Sequence, residues 1–417
     1  MTGKERVQTV LSHREADTIA LDFGATPVTG IHVKKIAEFR RHYGLEDRPV
    51  KVIEPFQMLG EVDGELAKIW NIDVTGVGGR TDMFGHPQQD FIEKRMPWGQ
   101  TVLLPQSFVM KEVNGVIYVF PQGDADCLPT AVMPEGGYFF DAIERGATTE
   151  LDAELNVEDN LEEFGVMDDE ALSYWKEALT NARTTDRAVI ANTGGMGFGD
   201  IALVPGLQLK SPKGIRAIAD WYMSTVMRTD IVLEIFERQA DIALQNLEKI
   251  NRMAGDCIDV LFVCGTDLGT QDSQFCSAEA LSALHGKAYR KINDWVHRHT
   301  GWKTFKHCCG AIIPLMETFI DCGFDIINPV QINAAGMDPH FLKKEFGDRI
   351  SFWGGGIDTQ RTLQMGTPQQ VKDQVRQLCD IFGANGGFVF NTVHNLQANV
   401  PTDNAIALMD AVCEIRQ

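Results

Sequence analysis

Two residues two positions apart, His307 and Cys309, are the pair in this 417-residue chain best suited to hold a metal ion. Side chains alternate along a strand, so these two project to one side and Cys308 to the other. An imidazole and a thiolate in one pocket suit Zn2+, and a catalytic zinc needs a third protein ligand plus an open position. His394 is the candidate by type, while Gln331 or Asp267 could instead lend an oxygen. Gly310, directly after the pair, permits close backbone approach. Spacing alone leaves the alternative open: a buried histidine with two packing cysteines.

Elements that could bring these residues together are legible as short apolar runs, each ending in Gly, Asn, Asp or His. They are 19–24, 72–77, 188–192, 260–265, 304–308, 324–328, 350–354 and 387–391. Runs of this length, rich in β-branched and aromatic residues, fit strands buried on both faces. Helical patterns fill most gaps: 215–253, 278–299 with Ser277 as N-cap, 312–322, and 367–382 with Pro368 near its start. Eight strands alternating with helices predict a (β/α)8 TIM barrel. A doubly wound sheet is the alternative, but no phosphate-binding Gly-rich fingerprint follows the first strand.

The whole chain, 1–417, reads as one barrel domain with an insertion at 80–183 after strand 2. The first half of the insertion alternates like antiparallel strands at 99–104 and 115–120. Its second half is acidic and helical, with Glu144 to Glu177 carrying much of the charge. It reads as an elaboration packed on one side of the barrel, over its mouth.

Active sites of this fold lie where strands end. That rule selects Asp22, Asn192, Asp267, Gln271, His307, Cys309, Gln331, Asp358 and His394. Asp267 could act as a base or orient a ligand, and His394 as an acid or base. Asn192, Gln271, Gln331 and Asp358 would line the substrate pocket. The Gly-rich run 192–199 could hold a phosphate or simply turn.

Composition narrows the partners. A formal net charge of −20 repels phosphate backbones, so nucleic acid is not expected. No apolar stretch of membrane-spanning length appears, so no membrane is expected either. Nine cysteines, an odd number scattered over a long chain, read as reduced thiols. With no signal-peptide pattern at the start, the expected location is the cytoplasm.

At these segments the sequence resembles the uroporphyrinogen decarboxylase superfamily, especially its corrinoid-dependent methyltransferase branch, which includes the methylcobalamin:coenzyme M methyltransferases. The segments are 4–7 running through 22–24, 264–277, His307-Cys308-Cys309-Gly310, 325–331, 354–358 and 390–395. The resemblance implies a (β/α)8 barrel and makes His307 and Cys309 zinc ligands. The branch's third ligand is a cysteine near the end of the last strand, and His394 stands in that place here. True decarboxylases also carry a histidine nearby without any metal, and their N-terminal Arg-Gln-Ala-Gly-Arg type motif is absent here.

The expected function is therefore a zinc-dependent methyltransferase moving a methyl group between a thiol or methoxy compound and a corrinoid. The corrinoid, as methylcobalamin, would be a co-substrate on a separate corrinoid protein, since no Asp-x-His-x-x-Gly cobalamin segment is evident. Two alternatives stand: a metal-free decarboxylase or lyase on the same barrel, and a non-catalytic corrinoid- or tetrapyrrole-binding protein.

Overall fold

The computed structural model describes residues 1–146 and 155–416. Part of the acidic stretch, 147–154, lies outside the described residues. Eight parallel strands form one sheet: β1 (Ala20–Leu21), β2 (Val74–Val77), β3 (Ala188–Ala191), β4 (Val260–Cys264), β5 (Lys303–His307), β6 (Ile326–Asn328), β7 (Ser351–Trp353) and β8 (Phe388–Phe390). Their order runs β1, β8, β7, β6, β5, β4, β3, β2, so each strand lies beside its sequence neighbour and β1 pairs with β8. The ring closes between β1 and β2 through Asp73, whose backbone N–H donates to Leu21 O at 2.9 Å. The Asp73 carboxylate accepts from Leu21 N at 2.8 Å and is paired with Arg6 and Arg416. The fold is a (β/α)8 barrel, and all eight strands fall where the apolar runs place them.

The strands are buried on both faces because two cores use them. One face fills the barrel with Ala20, Val74, Ile190, Val260, Phe305, Ile326, Trp353 and Val389, and Val7 and Val10 of the helix Gly3–Val10 pack onto the same cluster. The other face carries Leu21, Val189, Leu261, Ile327 and Phe352 against the surrounding helices. Phe305 points inward, so His307, two residues on, also points inward, while Lys306 points outward. Between β4 and β5 the register slips at Val263, next to the strand ends that carry the site.

Two expected helices are each broken. The span 215–253 is Ile218–Met227 followed by Thr229–Ala254, interrupted at Arg228, whose φ of −133° and ψ of 40° are not helical. The span 278–299 is Ala278–Leu284 and Gly286–His299, with Ser277 capping the first by accepting from Ala280 N. Amphipathic periodicity runs through both breaks, so the pattern alone does not show them. Pro368–Gly383 is one helix, opened by a capping box between Thr367 and Gln370.

Residues between β2 and β3 form antiparallel strands Phe91–Arg95, Thr101–Pro105, Met110–Val113, Val116–Val119, Ala131–Met133 and Asp141–Ala142, then the helix Asp169–Ala182. Thr101–Pro105 pairs with Val50–Glu54, which lies before β2. The elaboration therefore shares a five-stranded sheet with the β1–β2 connection, a pairing that local patterning does not reveal. It packs on the loop after β3. Thr130 donates to Leu207 O, Arg145 to Gly206 O and Leu209 O, and Arg216 pairs with Glu163. None of the described helices is long and apolar enough to cross a membrane.

Candidate metal centre at the barrel mouth

His307 is the last residue of β5, Cys309 lies two further on, and His394 lies four residues past the end of β8. One ligand atom from each lies within 4.8 Å of the other two. Cys309 Sγ stands 3.4 Å from His307 Nε2, and the two imidazoles meet edge to face with centroids 5.3 Å apart. His307 is buried and the other two are half-buried, so the cluster sits in the mouth rather than on the surface.

Asn328 at the end of β6 sets the state of His307. Its Oδ1 is 2.6 Å from His307 Nδ1, and its own Nδ2 donates to Trp353 O at 2.7 Å. Because Nδ2 is committed as a donor, the amide must present its oxygen to the ring. His307 therefore carries its proton on Nδ1, leaving the Nε2 lone pair facing the thiol. Burial lowers the His307 pKa against the opposing charge of Asp267, so the ring is neutral and able to ligate.

Asp267, three residues past β4, holds the other side. Its Oδ1 accepts from Cys309 N at 2.7 Å and lies 3.6 Å from His307 Nε2. Burial, with Asp267's charge next, raises the Cys309 thiol well above its usual range. A divalent ion would reverse that preference, since a coordinating thiol is deprotonated. Burial likewise lowers His394 to about 4, with the His307 charge acting in the same direction and Asp267 opposing. His394 Nδ1 accepts from Asn395 N at 2.8 Å, which places the proton of the neutral ring on Nε2.

The donor set fits zinc unequally. His307 and Cys309 present an imidazole lone pair and a soft sulfur as they stand. For His394 to ligate, its ring would have to give up the Asn395 bond and change tautomer.

Of the remaining expected residues, Gln331, Gln271 and Asp358 form a connected rim through Asn333. Gln331 Oε1 accepts from Gly310 N at 2.7 Å, and Gln331 Nε2 donates to Gln271 Oε1 at 2.9 Å. Gln271 reaches Asn333 O, and Asn333 Nδ2 lies 3.3 Å from Asp358 Oδ1. Asp358 also caps the turn at Gln360 and Arg361. Asn192 Oδ1 accepts from Gly194 N within its own loop. Asp22 lies apart from this network: it is fully buried, and it accepts from Trp353 Nε1 at 3.0 Å. Burial raises its pKa to about 6.

Sequence reasoning passed over three residues here. Asn328 ends a strand run and could have been found by the same end-of-strand rule. Lys306 is buried and outward-facing, and its ammonium donates to Thr266 O at 2.7 Å and His307 O at 2.6 Å. It thus ties the β4 loop bearing Asp267 to the tip of β5. Asp200 closes the Gly-rich loop after β3.

Residues 213–415, which carry His307, Cys309 and His394, match the profile of the uroporphyrinogen decarboxylase (URO-D) family. A curated uroporphyrinogen decarboxylase of Psychromonas ingrahamii is 28% identical over 100 residues, 24% of this chain. The chain spans 26% of that relative's length. Among solved structures, a methyltransferase from Methanosarcina mazei superposes over 100% of both chains with a TM-score of 0.57 at 12% identity. That likeness is one of fold.

Proposed function

We propose that the chain is a zinc-dependent methyltransferase exchanging a methyl group between a small thiol or methoxy compound and a corrinoid carried by a separate protein. The observation that carries this reading is the convergence of His307, Cys309 and His394 ligand atoms within 4.8 Å at the end of the barrel where such folds do chemistry. His307 and Cys309 would hold the ion, with His394 as third ligand after its tautomer change. Bound there, Zn2+ supplies Lewis acidity to a thiol or ether oxygen. The chain's own residues do the rest. Asn328 fixes the imidazole, Asp267 and Gln331 hold the backbone of the Cys309–Gly310 turn, and Lys306 anchors it from behind. A fixed turn keeps the ligand geometry from being reset each cycle.

One observation favours a second reading, a metal-free decarboxylase or lyase. With Nδ1 occupied by Asn395 N–H, neutral His394 has an N–H donor on Nε2, which could deliver a proton. Two measurements separate the readings. Protein purified without chelators is expected to contain stoichiometric zinc and to demethylate methylcobalamin in the presence of a thiol, or to methylate reduced cobalamin from a methoxy compound. A metal-free protein active only in carbon dioxide release would replace the first reading with the second.

A further inference from the structure

The residue after His394 is held more firmly than its place in a loop requires. Asn395 is buried, and its side chain makes three bonds into the connection between β1 and β2. Its Oδ1 accepts from Gly30 N, and its Nδ2 donates to Pro27 O at 2.8 Å and to Gln57 Oε1 at 2.7 Å. The orientation of this amide follows from its partners, because a backbone N–H only donates and a backbone carbonyl only accepts. Gln57 is fixed the same way. Its Nε2 donates to Pro27 O at 3.0 Å, so its oxygen faces Asn395.

The backbone on either side is pinned as well. Leu396 N donates to Gly30 O and His32 N to Leu396 O, both at 2.9 Å, in a short parallel bridge. Before it, Thr392 Oγ1 donates to His394 O. Gln57 stands on a turn whose N–H groups at Phe56 and Gln57 both donate to the Glu54 carboxylate at 2.9 Å. Phe140 of the elaboration donates from its N to Phe56 O at 2.8 Å across that turn. The peptide N–H of Asn395 is therefore held against His394 Nδ1, 2.8 Å away, by contacts from the β1–β2 connection. That N–H only donates, so it keeps the neutral ring with its proton on Nε2. Partners behind a metal ligand usually favour the binding tautomer, as Asn328 does for His307. This one opposes it.

We infer that Asn395 and Gln57 are positioning residues forming a clasp that keeps His394 an N–H donor, so that the connection between β1 and β2 governs its entry as a metal ligand. While the clasp holds, His307 and Cys309 are the ready pair and the His394 Nε2–H is a hydrogen-bond donor. When it loosens, the ring can move its proton to Nδ1 and complete the ligand set. This inference rests on the zinc methyltransferase reading for the third ligand, and on hydrogen-bond geometry alone for the tautomer. The sign of the effect separates a clasp from a scaffold. Removing a scaffold residue weakens metal binding, whereas removing the clasp strengthens it.

Two measurements on the full chain test it. The His394 tautomer is read by nitrogen-15 NMR of the histidine-labelled, metal-free protein at neutral pH, with His394→Gln assigning the signal. Zinc affinity is read by competition with a chromophoric chelator. The wild type should show a protonated Nε2 and a bare Nδ1. Asn395→Ala should show the two tautomers in exchange and bind zinc roughly threefold to tenfold tighter, the size of one net hydrogen bond. Gln57→Leu, at a half-buried position, should move both readouts the same way by less, and it serves if Asn395→Ala fails to fold. Gln57→Glu keeps an oxygen for Asn395 Nδ2 and should stay close to the wild type. A wild-type ring protonated on Nδ1, an unchanged tautomer in the loosened variants, or zinc binding in them that is equal or weaker would overturn the clasp. The tautomer is read without metal or turnover. A chain that binds no zinc therefore sinks the methyltransferase reading alone, and the NMR result still decides the clasp.

Discussion

Replacing Asn328 probes how the metal pair is made ready. The side chain is fully buried and makes two bonds, accepting from His307 Nδ1 and donating to Trp353 O. Asn328→Leu removes both and leaves two polar groups without partners. Loss of such an outer partner typically costs about 10–100-fold in metal affinity, or roughly 1.4–2.7 kcal/mol. Each orphaned group costs a further 1–3 kcal/mol or so of folding stability. Asn328→Asp separates the two effects. It keeps an oxygen for His307 Nδ1–H but turns the donor to Trp353 O into an acceptor. Zinc affinity, measured by competition with a chromophoric chelator, should fall by about 10–100-fold in the Leu variant and stay within about threefold in the Asp variant. Urea denaturation should show both destabilised. If the folded Leu variant binds zinc like the wild type, or if both variants lose affinity equally, Asn328 does not set the His307 tautomer and the reasoning fails.

Other changes have equally definite outcomes. Cys309→Ala should abolish stoichiometric zinc while leaving the circular-dichroism spectrum unchanged, because the thiol contributes no core packing comparable to buried Cys308. Gly310→Ala should destabilise the protein by at least about 2 kcal/mol and weaken zinc binding. Its φ is +97°, and an added β-carbon would fall 2.3 Å from Gly269 C. His285 is buried against Phe236 and Tyr289, and burial, then the Lys306 charge, lowers its pKa to about 3. As pH falls below about 6.5, the unfolded histidine takes up a proton that the folded one refuses, so stability present at pH 7 is lost progressively toward pH 3. At pH 5 the loss from this residue is about 2 kcal/mol, and denaturant titrations of His285→Phe at pH 7 and pH 5 should show that much less acid sensitivity than the wild type.

Barrel strands were legible because each is a short continuous apolar run, the signature of a strand buried on two faces. His307 and Cys309 could be placed on one side from the two-residue period alone. Neither argument reaches residues whose role depends on what comes from elsewhere in the chain. Lys306 looks like a surface lysine in sequence, yet it is buried because two carbonyls, one from the β4 loop, satisfy its ammonium. Asp22 ends its strand as Asp267 nearly does, but the Trp353 indole claims it from inside the barrel. Gly199 lets its loop lie against Trp221, a contact no periodicity encodes. Helix breaks at Arg228 and His285 fall inside uninterrupted amphipathic patterns, so only the tertiary fold reveals them.

The central claim is that an imidazole and a thiolate from the end of β5 grip a zinc ion. Zinc K-edge X-ray absorption on the stoichiometrically loaded protein tests it most directly. The account predicts one sulfur neighbour at about 2.3 Å together with histidine nitrogens, the sulfur signal vanishing in Cys309→Ala. A shell of oxygen and nitrogen only, or a sulfur signal that survives that substitution, would contradict it.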